Sequence, residues 1–141
     1  MGKRTKAREC AFQILYQWDV TREPIDHVFN LFWKVRSGTP EMKRMAERLA
    51  RGAQAHIEDL DAAVTAALTN WRFDRVAGID RNIMRLAAYE LMHEKETPAS
   101  VIIDEAVEMA KRFGEADSPS FVNGVLDAIR ASVRGARQPK P

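Results

Sequence analysis

The chain has 141 residues, 45% apolar and 30% charged, with a formal net charge of +2. That is the length of one domain with a real core; global disorder is excluded, and no apolar run approaches the ~20 residues of a membrane span. No signal-peptide stretch follows the basic start, and Cys10 alone can close no internal disulfide, so a reducing, cytoplasmic setting is expected.

The apolar period is helical nearly throughout. Ala7, Cys10, Ala11, Ile14, Leu15 and Trp18 predict a first helix from about Thr5 to Val20. Ahead of and within it, Lys3, Arg4, Lys6 and Arg8 carry positive charge. Pro24 opens a second helix, whose apolar face is Ile25, Val28, Phe29, Phe32 and Trp33. After Ser37-Gly38, Thr39 is a predicted N-cap with Pro40 at the first helical position. From Met42 to Trp71 the apolar pattern continues, as either one long helix or two helices jointed near Gly52, and a long or bent helix is the preferred reading. Residues 70–78 read as a connection with a short turn. Ile79 to His93 forms the next helix, Pro98 opens another that Gly114 closes, and Ser118-Pro119 opens the last, which ends before Gly135. The fold class is therefore all-α, a compact bundle of about seven helices in two packed subdomains. The whole chain reads as one domain, with residues 1–4 and 136–141 as mobile tails.

Chemistry is sparse. His27, His56 and His93 lie on different predicted helices, so no Cys/His cluster has metal-ligand spacing, and no glycine-rich loop could cradle a phosphate. No cofactor is implied. Cys10 lies on an apolar face and reads as a structural thiol. Asp104, Glu105 and Glu108 share a face with Arg112 and read as solvated. Glu90 differs, because it falls on the apolar stripe with Ile79, Ile83 and Leu86, so burial obliges it to find a cationic or hydrogen-bonding partner.

Three further features each have two readings. The basic start and a basic end (Arg130, Arg134, Arg137, Lys140) are solvated tails or a polyanion-binding surface. Phe12 and Tyr16, opposite the stripe of the first helix, mean packing on two sides or a protein-binding face. Phe121, at the edge of the last helix's stripe, is a core residue or a platform for a base, with Asn123, Arg130 and Arg134 on the polar face nearby.

Arg8-Glu9-Cys10-Ala11 with Leu15-Tyr16, residues 80–91 (DRNIMRLAAYEL), residues 103–114 (IDEAVEMAKRFG) and residues 121–127 (FVNGVLD) together resemble the NusB family of bacterial transcription antitermination factors. The resemblance spans nearly the whole chain; only residues 21–54 depart freely. The same helical domain is similar to the N-terminal module of some RNA cytosine methyltransferases, and the chain's end at Pro141 favours the stand-alone factor. The family implies a non-enzymatic RNA-binding protein that pairs with NusE, a small-subunit ribosomal protein. The pair grips single-stranded boxA RNA and helps assemble an antitermination complex on RNA polymerase during ribosomal RNA synthesis. Carried over, Lys3, Arg4, Lys6, Arg8, Arg85, Phe121 and Asn123 would face RNA. Tyr16, Asp80 and Arg81 would face NusE, with Phe12 one turn before Tyr16 on the same face. Relatives occur as monomers and as homodimers. The rival classes are a helical protein–protein adaptor without specific RNA binding and an enzyme whose site lacks any recognisable pattern.

Overall fold

In the computed structural model, which describes residues 2–135, the amphipathic pattern becomes seven α-helices and no strand among those residues. They are α1 (Lys3–Thr21), α2 (Ile25–Val35), α3 (Pro40–Ala55), α4 (Ile57–Ala67), α5 (Gly78–His93), α6 (Ala99–Phe113) and α7 (Ser118–Arg134). A 3-10 turn, Phe73–Arg75, lies between α4 and α5. Arg137 and Lys140 of the basic end, and the expected 136–141 tail, lie outside the described residues.

Helix α1 starts at Lys3, two residues before the expected Thr5, so Lys3 and Arg4 are helical rather than tail. It is buried on more than one side: Ala7, Ile14 and Leu15 are fully enclosed and Phe12 is only 3% exposed. The helix packs against α2, α3, α5 and α6. The two-sided reading of Phe12 therefore holds, its ring lying 5.4 Å from that of Phe113 on α6. Arg22 ends α1 in the left-handed region (φ 59°), its N–H donating to the Trp18 carbonyl and its guanidinium lying 4.6 Å over the Trp18 ring. Thr39 caps α3 as expected, its hydroxyl accepting from the Met42 N–H at 3.2 Å, with Pro40 at the first position.

The preferred single helix over residues 41–71 is instead two helices, as the alternative had it, but jointed at His56 and not at Gly52. Gly52 is glycine for another reason. A Cβ there would stand 2.3 Å from the Tyr89 ring, so the missing side chain lets α5 lie against α3. Gly114 serves a similar close approach, since a Cβ would meet the Ser118 hydroxyl at 2.6 Å.

Helix α5 is the hub. Every residue from Asn82 to Leu91 is buried, and the helix packs against five of the other six helices, all except α2. Its C-terminal carbonyls are collected by one side chain from α7. The Arg134 guanidinium donates to the carbonyls of Glu90, Leu91, Glu94 and Thr97 at 2.7–3.2 Å. That gives a donor to the Leu91 carbonyl at the helix end and to the Thr97 carbonyl beyond it, adds a second donor at Glu90 and Glu94, and withdraws Arg134 from the expected basic surface.

Candidate nucleic-acid and partner interface

At the start of α1, Lys3, Arg4 and Lys6 are exposed. Lys3 Nζ lies 3.7 Å from Glu41 Oε2, a pair with both side chains about 70% exposed, so little binds the ammonium to that partner. Arg8 is different. It is 3% exposed, and its Nε and Nη2 each donate to the Glu90 carboxylate at 2.9 Å. Here is the partner that the buried Glu90 required, and it corrects the expectation that Arg8 faces RNA. A guanidinium in a buried bidentate pair cannot reach a phosphate without leaving a bare carboxylate behind. Lys3, Arg4 and Arg8 line a groove of about 540 Å³ between α1, α3 and the start of α6, and its remaining charges are four glutamates, Glu41, Glu90, Glu94 and Glu96, against Arg48.

The second region surrounds the N-terminus of α5. Tyr16 is 37% exposed on α1 and lies over Gly78, where a Cβ would touch its ring at 3.0 Å. Arg81 donates twice to Asp19 Oδ2, at 2.9 and 3.1 Å, and once to the Val76 carbonyl at 3.0 Å. Asn82 joins the same Asp19 oxygen at 3.1 Å, and Arg85 lies 3.2 Å from the other. Burial pushes the Asp19 carboxyl up. The hydrogen bonds from Asn82 and Arg81 and the charge of Arg85 outweigh it, holding Asp19 below the usual carboxylate range.

Arg85 is itself 3% exposed and forks onto Asp61 at 2.7 and 2.8 Å. Its expected place on an RNA surface is corrected in the same way as that of Arg8: it joins α1, α4 and α5 from inside. Phe12 is likewise removed from a partner face by its burial against Phe113. Tyr16 and Arg81 remain accessible and adjacent, Arg81 being half-buried.

Asp80 is 8% exposed, so it presents little surface to a protein partner. Its Oδ2 accepts from the Ser118 hydroxyl at 3.0 Å, while Oδ1 is buried with no partner. Burial, and then the charges of Asp117 and Glu115, push its carboxyl up despite the Ser118 hydrogen bond.

Phe121 is half-buried in the first turn of α7, and Asn123 is exposed. The neighbour of Phe121 is a residue that sequence reasoning missed. Trp71 was counted as the last apolar position of a long helix, but α4 ends at Ala67 and leaves Trp71 in the connection, 59% exposed. Its ring meets Phe121 in a T-shaped contact, centroids 6.2 Å apart. Asn70 just before it was the available signal for a break. No group of three His, Cys, Asp or Glu side chains among the described residues could hold a metal ion. No helix there is long and apolar enough to cross a membrane.

A family model described as the NusB family matches residues 5–131. A transcription antitermination protein NusB from Anaeromyxobacter dehalogenans is 44% identical over 138 residues, covering 97% of this chain and 96% of the relative. The solved T. maritima NusB is similar in structure, with a TM-score of 0.82 at 34% identity, covering 92% of this chain and 91% of that one. A NusB chain solved with NusE and double-stranded RNA is similar too, with a TM-score of 0.86 at 29% identity over 94% of this chain and 98% of that one.

Proposed function

The chain belongs to the NusB family, and from that premise we propose that it is an RNA-binding transcription antitermination factor acting together with NusE. The RNA is a single-stranded boxA element, and the complex acts on RNA polymerase during ribosomal RNA synthesis in the bacterial cytoplasm. The observation that carries this reading is the state of the first turn of α1. Lys3, Arg4 and Lys6 stay exposed while Arg8, one turn on, is consumed by Glu90. Long exposed cations suit phosphates, which supply salt-dependent affinity without reading sequence. Phe121 and Asn123 supply base contacts at the start of α7. Tyr16 and Arg81 meet NusE. Arg8, Arg85 and Asp19 act on both surfaces from within, by fixing the helices that carry them. The function is binding alone, with no catalytic step.

The test is titration of single-stranded boxA RNA onto the chain, alone and with NusE, across a salt series. For single strands each phosphate contact contributes a slope of about −0.7, so Lys3→Ala with Arg4→Ala should flatten the dependence by about 1.4 units. Binding that ignores salt, or no binding with NusE present, would reduce the protein to an adaptor between proteins.

A further inference from the structure

The most exposed tryptophan of the chain is the one whose position the helix pattern does not explain. Trp71 stands 59% exposed against Phe121, their planes inclined at 65°. The two rings line a groove of about 440 Å³ between the connection and the start of α7. They also line a second groove of about 420 Å³ that Gly124 borders, where a Cβ would find open space. A flat guest on one ring would therefore meet the other ring edge-on, the second of the two favoured aromatic arrangements.

The polar groups of the first groove choose between guests. Asp80, Glu115 and Asp117 line it, against one cation, Arg75. Three carboxylates repel a phosphate. They accept N–H groups, as the amino edges of bases offer. Asp80 adds a specific vacancy of this kind: it is more than nine-tenths buried, and its Oδ1 is an acceptor without a donor. A buried acceptor left unpaired is costly, so a guest that donates an N–H there is favoured.

We propose that Trp71 and Phe121 form a two-ring notch that takes one unpaired base of the RNA, with the carboxylates that line it receiving the base's N–H edge. Trp71 is thus an RNA-binding residue in its own right. The sugar–phosphate chain passes outside the notch, on the side of Arg75. The inference rests on the RNA-binding reading above.

The probe is single-stranded boxA RNA, intact and with one nucleotide at a time made abasic, titrated onto the chain with NusE present. Trp71→Ala should weaken binding by about 5- to 150-fold, the range for one stacked base, and leave the salt slope unchanged. Trp71→Phe, which keeps a ring, should retain most of the affinity. The double variant with Phe121→Ala should lose less than the product of the single losses, because both rings hold one base. One abasic position should bind the parent and Trp71→Ala equally. Thermal melts should match the parent for Trp71→Ala; if they do not, the comparison of Trp71→Phe with the parent on abasic RNA carries the test.

If Lys3→Ala with Arg4→Ala flattens the salt slope but Trp71→Ala binds as the parent does, the notch is wrong and the RNA-binding reading stands. If Trp71→Ala weakens capture of NusE in the absence of RNA, the notch belongs to a protein and the proposal is overturned. If the parent binds no RNA at all, the RNA-binding reading fails, and the notch with it.

Discussion

A buried ion pair contributes less through attraction than it costs when broken. Arg8 and Glu90 are each 3% exposed at the side chain, so neutralising one strands the other in a medium that solvates it poorly. Glu90→Gln should destabilise the fold by about 3–5 kcal/mol. Glu105→Gln, at a 21% exposed side chain 3.8 Å from the same arginine, should cost far less, toward the ~0–1 kcal/mol of exposed pairs. Urea midpoints of the two variants measure the difference, and equal midpoints would contradict the burial of Glu90. Asp19 makes the complementary case through pH. Its folded carboxyl titrates below its unfolded one, so its contribution is complete above the unfolded value and disappears as pH falls through the folded value. Asp19→Asn should lower stability near neutral pH and shrink the acid-side loss. Unfolding midpoints across an acid-to-neutral series would show this as a flatter profile.

Between helices, fit decides where the chain bends. The periodicity of residues 41–71 gave no sign of a break at His56, because apolar residues continue in phase on both sides of it. Gly52 drew attention as a weak helix former, yet it lies inside α3 with the Tyr89 ring against it. Composition cannot distinguish a glycine that bends a helix from one that admits a neighbour; only the neighbour does. Gly52→Ala should gain about 1 kcal/mol of helix propensity and lose about 1–3 to overpacking against a stiff ring. A lowered melting temperature is expected, and a raised one would mean that Tyr89 moves aside freely. The capped start of α3 was legible because Thr39 and Pro40 act locally. The Arg134 clamp on α5 was not, because it joins residues 37–44 positions apart.

At the scale of the whole molecule, the all-α class and the buried set were readable from the period alone. Ile14 and Trp18 of α1, Val28, Phe29 and Phe32 of α2, and Ile83 and Leu86 of α5 are all enclosed. The candidate site was harder to read. A charged residue in sequence looks the same whether it meets solvent or a buried partner, so Arg8 and Arg85 were indistinguishable from Lys3 and Arg4. Because α5 touches five of the other six helices, loosening it should loosen everything. Leu86→Ala, at a fully buried position, should cost about 2–5 kcal/mol. It should also keep one transition, with tryptophan emission and far-ultraviolet circular dichroism melting together. Two separated transitions would mean that the helices on either side of α5 unfold as independent units.

The reach of α1 along the chain has a consequence for birth at the ribosome. Arg8 is 82 residues from Glu90, and Thr5, whose hydroxyl donates to Glu105, is 100 residues from it. Emerging first, α1 meets α2 and α3 early but must wait for α5 and α6. At about 5–20 residues per second the interval before Glu90 is added is roughly 4–16 s. Through it the flank of α1 that faces α5 and α6, and a cation destined for burial, lack the helices that enclose them. The nascent chain should therefore be open to chaperones, proteases or premature association until α5 clears the exit tunnel, and the native state should close around α1 late and all at once.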